Sequence, residues 1–150
     1  MASFRIAILL VLITAGIATP AQAPRAIALT PGETVFSTAG LALPGMGQVN
    51  LVGDPTKPGP YTVRLQFPDG YRIDAHHHPD AREVTILSGT YMTGYGSAFD
   101  LKSLKELPAG SFYTEPAVMP HFIVTWGPVV IQVSGMGPSA RRFVEAHPQH

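Results

Sequence analysis

Short alternating segments separated by glycine and proline constrain the fold of this chain more than any other feature. The 150 residues include 15 glycines and 15 prolines, which recur between short runs of apolar and β-branched residues. The run YTVRLQF at 61–67 alternates apolar and polar side chains with the period of two that is typical of a half-buried strand. PDG at 68–70 then has the residues of a tight turn. This pattern predicts many strands joined by tight turns.

About eight or nine short strands are predicted in this way, and they indicate an all-β sandwich or barrel. The segment at 83–96 is predicted to form a β-hairpin with its turn at Ser88-Gly89, and a last short strand is expected at 142–144. FDLKSLKEL at 99–107 is the one helical candidate. A jelly roll suits the length of the chain, and an immunoglobulin-like sandwich is the alternative on pattern alone.

Residues 1–23 have the features of a secretory signal peptide. Arg5 precedes an uncharged apolar run at 6–18, and AQA at 21–23 supplies the small residues that signal peptidase reads. Cleavage is expected after Ala23 or, because Pro24 follows, after Ala21. The run is shorter than the roughly 20 residues of a spanning helix, so export is favoured over a retained membrane anchor. We therefore expect a bacterial protein that is periplasmic or extracellular, with residues 24–150 forming a single domain whose core spans about 35–135.

Charge and cysteine content exclude several classes of function. Ten basic and ten acidic side chains balance, so nothing indicates binding to nucleic acid or to an anionic membrane surface. The chain has no cysteine, which excludes disulfides, thiol nucleophiles and thiolate metal ligands. Any bound metal must therefore be held by nitrogen and oxygen atoms.

Three consecutive histidines at 76–78 are the main indication of a metal site. In a strand, His76 and His78 point to one face about 6.6–6.8 Å apart, whereas His77 points to the other face. Two neutral imidazoles at this spacing can converge on one ion. His121, which begins the predicted strand HFIVTW, is the further candidate ligand. The alternative is that these residues belong to an ordinary polar strand and, for His121, to a surface loop.

The two histidine segments resemble the two sequence motifs of the cupin superfamily. GYRIDAHHHPDAREVTILSG at 70–89 resembles the first, a glycine followed by His-x-His, a glutamate and a second glycine. GSFYTEPAVMPHFIVT at 110–125 resembles the second, in which Pro-x-Gly precedes a histidine and an asparagine follows it. The resemblance covers about 35–133. It implies a cupin-type jelly-roll barrel with at most one short helix, which holds a divalent metal through His76, His78 and His121.

The chain departs from the cupin motifs at three points. Val118 stands in place of the motif glycine and Thr125 in place of the motif asparagine. Neither is a ligand position, so both are expected to change only local turns and packing. The third departure is that five residues, where the motif has six, separate Glu83 from Gly89.

Strand register therefore decides whether Arg82 or Glu83 faces the site. If the inward and outward positions are counted back from Gly89, Arg82 faces inward and Glu83 faces outward. If they are counted forward from His78, Glu83 faces inward. The first register also turns two β-branched residues inward, so a three-histidine site is favoured, although a β-bulge would still make Glu83 a fourth ligand. An inward Arg82 would be available to bind an anionic ligand, unless it pairs with Asp80 or Glu83.

Two other polar residues are weaker candidates for binding a small ligand. Glu115 precedes Pro116 and could reach the barrel mouth, and Gln132 on the predicted strand VVIQV could lie beside the metal. For the strand aromatics, packing is the expected role; these are Tyr91, Tyr95, Tyr113 and Trp126.

Cupins host both enzymes and binding proteins, so the resemblance leaves the function open. One hypothesis is an exported metal-dependent oxygenase or isomerase that acts on a small molecule inside the barrel. The other is a noncatalytic cupin that binds a metal or a small ligand, as a sensor or scavenger. Iron, zinc, copper, nickel and manganese all suit nitrogen and oxygen ligands. The resemblance is also compatible with a homodimer formed through strand edges.

Overall fold

The computed structural model describes residues 26–41 and 43–145, and nearly all of their regular structure is β-strand. Two 3-10 turns, Pro31–Glu33 and Leu101–Ser103, are the helical elements of this part of the chain. The eight strands are β1 (Gly47–Val52), β2 (Gly59–Phe67), β3 (Arg72–His77), β4 (Arg82–Tyr95), β5 (Lys105–Pro108), β6 (Phe112–Glu115), β7 (His121–Gly137) and β8 (Arg142–Phe143). The all-β prediction is confirmed.

The helical candidate at 99–107 forms a single 3-10 turn instead of a longer helix. The Asp100 side chain caps this turn by accepting a hydrogen bond from the backbone N–H of Lys102. The turn ends at Leu104 because the next four residues pair with β4 as strand β5. Over residues 26–41 and 43–145, no helix has the length and apolar character needed to cross a membrane. The predicted signal peptide at 1–23 lies outside the described residues.

Strand β4 bends at Gly89 but does not turn back on itself. β4 pairs with β7 along its whole length, and the register shifts on both sides of Ser88. Gly89 lies in the left-handed region at φ +75°, and a Cβ there would be 2.3 Å from the carbonyl oxygen of Pro128. The predicted hairpin turn at Ser88-Gly89 is therefore wrong. Local turn residues produce a bend here because both halves of β4 hydrogen-bond to one continuous partner strand.

The bends fold the antiparallel sheet so that its two halves enclose a common core. One half runs β1, β2, the end of β7, the start of β4 and β6. The other runs β8, β3, the start of β7, the end of β4 and β5. Both halves contribute to one buried apolar cluster, which includes Tyr61, Val63, Leu65, Phe67, Ile73, Val84, Ile86, Tyr91, Ile123, Val129, Ile131 and Val133. Removal of this surface from water is the main force that holds the halves together.

A bulge in β3 sets which of its side chains enter the barrel. β3 advances three residues from Ile73 to His76 while its partner β7 advances two, so the register shifts between them. Both Ile73 and His76 are consequently buried, although simple alternation would put them on opposite faces. Without the bulge, a strand with Ile73 in the core would turn His77 inward in place of its two neighbours.

The segment after β7 returns to β3. The backbone N–H of Ser139 donates to the Pro55 carbonyl at 2.6 Å, β8 pairs with His76 and His77, and the N–H of Val144 donates to the Ala75 carbonyl at 2.9 Å. The strand expected at 142–144 is thus found as β8. These contacts place residues 139–141 beside the interior of the barrel.

Candidate metal site

Three buried histidines converge inside the barrel. His76 lies in β3, His78 directly follows it, and His121 begins β7 opposite His76. The ring centroids are 4.3–5.3 Å apart, and one ligand nitrogen from each ring lies within 4.8 Å of the others. Small side-chain adjustments would let all three nitrogens reach one ion at roughly 2.0–2.1 Å, the length of a bond between imidazole nitrogen and zinc. The structure therefore brings together the three histidines that the sequence singled out, and His77 lies outside the cluster.

Backbone carbonyls fix the orientation of all three rings. Each Nδ1 lies 2.7–3.3 Å from a carbonyl oxygen, which is that of Asp74 for His76, of Ala140 for His78 and of Met119 for His121. A carbonyl only accepts hydrogen bonds, so Nδ1 carries the proton and Nε2 keeps its lone pair. The Nε2 atoms of His78 and His121 are buried without a hydrogen-bond partner. A metal ion would satisfy these unpaired acceptors.

Burial keeps two of the rings neutral. It lowers the pKa of His76 to about 3, helped by the neighbouring His121. It lowers the pKa of His78 to about 2, helped by the positive charge of Arg82. Neutral imidazole is the form that binds a metal, so protons do not compete at these two rings near neutral pH.

The carboxylate of Glu115, at the end of β6, faces the histidines. Its Oε1 lies 3.4 Å from Nε2 of His121, and its Oε2 lies 3.7 Å from Nε2 of His78. The side chain is 2% exposed. Three imidazole nitrogens beside one carboxylate form a donor set that suits a divalent transition metal. Glu115, expected only near the barrel mouth, is thus in contact distance of the cluster.

Two buried groups hold the Glu115 carboxylate in place. Arg82, its register partner on β4, donates to Oε2 from Nε at 2.6 Å and also from Nη2. The Tyr113 hydroxyl donates to Oε1 at 2.6 Å and lies 3.2 Å from the hydroxyl of Tyr91. Burial opposes ionisation of Glu115, but the positive charge of Arg82 holds its pKa well below the usual range. The carboxylate is therefore charged at neutral pH.

The observed register of β4 is the one fixed at Gly89. Val84 and Ile86 are completely buried, whereas Glu83 is exposed on the outer face. The structure therefore does not bring Glu83 to the histidines, because β4 pairs with β7 in an unbroken register from Arg82 to Ile86 and Glu83 alternates with the inward Arg82 and Val84. Arg82 faces inward as that register requires, but its partner is Glu115, not Asp80 or Glu83.

Gln132 lies on the opposite face of β7 from the core. Its neighbours Ile131 and Val133 are buried, so strand alternation turns Gln132 outward. There its Oε1 accepts a hydrogen bond from Nε of Arg64 at 3.2 Å. Of the aromatic residues expected to pack, Tyr91 and Tyr113 are buried near Glu115, whereas Trp126 is exposed.

A cavity of about 240 Å³ opens beside His78. Its walls combine apolar side chains with polar ones, among them Met46, Val63, Leu65, Tyr61, Arg82 and Arg141. Arg141 was not among the residues that the sequence singled out. The available signal was the pair Arg141-Arg142 beside a short strand, since alternation turns one of two adjacent residues inward.

Comparisons with known proteins identify the fold. No family model matches the chain, and no curated protein matches it either. Among solved structures, the polyketide cyclase RemF from Streptomyces resistomycificus superposes with a TM-score of 0.65 at 15% identity, over 83% of this chain and 89% of RemF. An RmlC-like cupin from Shewanella frigidimarina superposes with a TM-score of 0.57 at 16% identity, over 72% of this chain and 87% of that cupin.

A third match is to part of a larger enzyme. Salicylate 1,2-dioxygenase from Pseudaminobacter salicylatoxidans superposes with a TM-score of 0.56 at 10% identity, over 69% of this chain but only 31% of the dioxygenase. That enzyme has also been solved with gentisate bound. At these identities the matches show the fold and not the activity. The chain has the cupin fold, as the resemblance to the two motifs implied.

Proposed function

We propose that this protein is a metal-dependent cupin enzyme that acts on a small molecule bound beside the histidine cluster. The observation that carries this proposal is the convergence of three oriented imidazoles beside the Glu115 carboxylate, in a cluster that reaches a cavity of about 240 Å³ through His78. Three histidine ligands leave coordination positions open for a substrate, whereas a purely structural site is usually closed by protein ligands.

His76, His78 and His121 would hold the ion, which would supply Lewis acidity toward an oxygen atom of the substrate. Glu115 contributes a fixed negative charge beside that position. Because its pKa is held low, it is a weak base. Its role is therefore to accept a hydrogen bond from a substrate hydroxyl group and to orient that group. Arg82 and Tyr113 keep the carboxylate aligned for this task.

An oxygenase or an isomerase reaction fits this arrangement best. Two histidines with a carboxylate resemble the ligands of non-haem iron oxygenases, and a third histidine also suits zinc, copper, nickel or manganese. Proteins of the same fold include a polyketide cyclase and a dioxygenase that binds gentisate. This likeness of fold supports a small polar or aromatic substrate by analogy.

The test begins with the metal. The protein is expressed with iron, zinc, copper, nickel and manganese supplied in turn, and bound metal is measured by mass spectrometry. We expect about one ion per chain. The loaded protein is then assayed for oxygen uptake and product formation with a panel of phenols and flavonoids. Turnover that disappears in His78→Ala supports an enzyme. Metal binding with no turnover, or with a tightly retained small ligand, supports the noncatalytic alternative.

We also propose that the protein is exported, on the strength of its first 23 residues. The supporting features are Arg5, the apolar run at 6–18 and the AQA site. Expression of the full chain in a bacterial host, followed by fractionation and mass spectrometry, tests this. A mature chain that begins at Gln22 or Pro24 is expected outside the cytoplasm. An uncleaved chain in the membrane fraction would contradict it.

A further inference from the structure

Arg141 is a cation without an acidic partner at the wall of the cavity beside the histidines. The other arginine of this cavity, Arg82, is paired with Glu115. In the part of the chain that the structure describes, no carboxylate lies within ion-pair distance of Arg141. Its Nε is buried and makes no hydrogen bond. A guanidinium with an unused buried donor is a group that an anionic ligand would complete.

The backbone ties Arg141 closely to the histidine cluster. The carbonyl of the preceding residue, Ala140, accepts the hydrogen bond from Nδ1 of His78 at 2.7 Å. Ser139 is held by the Pro55 carbonyl at 2.6 Å, and the next residue, Arg142, pairs with β3. The segment is thus fixed on both sides of Arg141. The segment 139–141 therefore orients His78 through the Ala140 carbonyl and also places Arg141 at the wall of the cavity.

The charges that face the cavity do not balance. Arg82 and Arg141 line the cavity, and none of the described residues that line it is acidic. Glu115 pairs with Arg82, whereas no carboxylate pairs with Arg141. Burial, followed by repulsion from Arg82, lowers the pKa of Arg141. A bound divalent cation at the histidines would add to this positive excess. One anionic group beside Arg141 would compensate it.

The size and walls of the cavity restrict the kind of anion. A volume of about 240 Å³ suits a small molecule only. Met46, Val63 and Leu65 form an apolar wall, so the ligand has an apolar body as well as a charge. The planar guanidinium matches the two oxygens of a carboxylate.

We propose that Arg141 anchors the carboxylate of a small organic acid, whose apolar body fills the cavity and whose other end faces the histidines. The inference rests on the proposed function, because it names the substrate class of the same site. It assigns Arg141 a binding role that the cupin motifs do not contain, since this residue lies beyond both of them.

Benzoate and benzamide are the probes, because they differ in charge but hardly in shape. Binding to the full chain is measured by isothermal titration calorimetry, with zinc loaded and with metal removed. We expect benzoate to bind the wild-type protein at least about tenfold more tightly than benzamide. Arg141→Gln should weaken benzoate binding by about tenfold or more and leave benzamide binding unchanged.

The neighbouring arginine is the matched control. Arg142 is exposed on β8, and Arg142→Gln removes the same charge one residue away. We expect this variant to bind benzoate within about twofold of wild type, because an exposed charge is screened by solvent and salt. Arg141→Lys keeps the charge but loses the planar fork, so an intermediate affinity is expected. If Arg141→Gln fails to fold, Arg141→Lys and the wild-type comparison of the two probes still decide.

Equal affinity of wild type and Arg141→Gln for benzoate, or no preference of the wild type for benzoate over benzamide, would overturn the inference. Tighter binding of inorganic phosphate than of benzoate would overturn the carboxylate assignment. Metal content is measured separately on the same samples. A protein that takes up no metal yet binds benzoate through Arg141 would contradict the proposed function alone. A metal-loaded protein whose benzoate binding ignores Arg141 would contradict this inference alone.

Discussion

Arg82 and Glu115 face each other across β4 and β6 and form a buried ion pair beside the three histidines. In the cupin motif that the sequence resembles, the position that Arg82 takes when counted from Gly89 belongs to a glutamate. Here that position holds an arginine, and the adjacent strand supplies the carboxylate. The site therefore has the negative charge of Glu115 next to its imidazoles, and the buried guanidinium of Arg82 is paired with that charge.

Removal of the Glu115 charge should destabilise the fold. Glu115→Gln leaves the Arg82 guanidinium, which is 11% exposed, without its counter-ion. Breaking a buried ion pair in this way typically costs about 3–5 kcal/mol. Urea unfolding followed by circular dichroism measures the loss. Glu83→Gln on the exposed outer face is the control and should change the unfolding free energy by less than about 0.5 kcal/mol. Equal effects of the two substitutions would show that the buried pair is not the cause.

The metal content should distinguish the faces of β3. His78→Ala and His121→Ala each remove a converging imidazole and should lower bound metal by about tenfold or more. His77→Ala should leave the content nearly unchanged, since His77 lies outside the cluster. Mass spectrometry of the purified variants gives the stoichiometry. Equal losses in all three variants would contradict the assignment of faces.

The metal-free protein should lose stability as the pH falls below about 6.5. The folded-state pKa values of His76 and His78 are about 3 and about 2, below the ordinary value of 6.5. The unfolded chain therefore binds protons first, and each ring lowers the unfolding free energy by about 1.4 kcal/mol per pH unit as the pH falls. Glu115, whose folded pKa is also depressed, adds a further loss below its ordinary value of 4.5.

Urea unfolding of metal-free protein between about pH 7 and about pH 4 measures this slope. The matched variant is His78→Ala, which removes one of the two titrating rings and should reduce the slope by about 1.4 kcal/mol per pH unit. Stability that stays constant as the pH falls from 6 to 5 would mean that these rings are not buried in the neutral form.

Local patterns were sufficient to predict the strands and the histidine cluster. Alternation is a property of neighbouring residues, so it predicts that His76 and His78 share a face. That this face is the inner one depends on the bulge between Ile73 and His76, which the sequence did not indicate. The position of Glu115 depends instead on which strand pairs with β4, and its partner Arg82 is 33 residues away in the chain. A single sequence does not specify such a pairing. Arg141 was not predicted for the same reason, because its position depends on the pairing of β8 with the distant strand β3.

The structure differs from the sequence-based expectations for Ser88-Gly89 and for Gln132, and each difference has a physical cause. Ser88-Gly89 has the composition of a tight turn, but the long strand β7 runs past both sides of it and makes it a bend. Gln132 lies on a strand that passes the site, yet periodicity alone does not tell which face of a mostly apolar strand points inward. Its buried neighbours Ile131 and Val133 settle the question in the structure.

Replacement of Val118 by glycine should stabilise the protein by about 1 kcal/mol. Val118 has φ +57°, a left-handed conformation that a β-branched residue rarely adopts, and the residue is 65% exposed. Glycine relieves the strain and keeps the N–H that donates to the His78 carbonyl at 2.8 Å. Chemical denaturation measures the change. Val35, exposed and without a positive φ, is the control, and Val35→Gly should not stabilise. A destabilised Val118→Gly would refute the strain argument.

Replacement of Gly89 by alanine should be among the most damaging small substitutions in the barrel. The added Cβ would meet the Pro128 carbonyl oxygen at 2.3 Å, where the bends of β4 and β7 touch. Gly127→Ala is the matched control, because Gly127 has nearly the same φ, +72° against +75°, but open space where a Cβ would lie. The left-handed conformation alone should cost each variant about 1–2 kcal/mol. Gly89→Ala should lose about 2 kcal/mol more from the steric clash, seen as a lower urea midpoint. Equal losses would mean that the bends of β4 and β7 are not in close contact at Gly89.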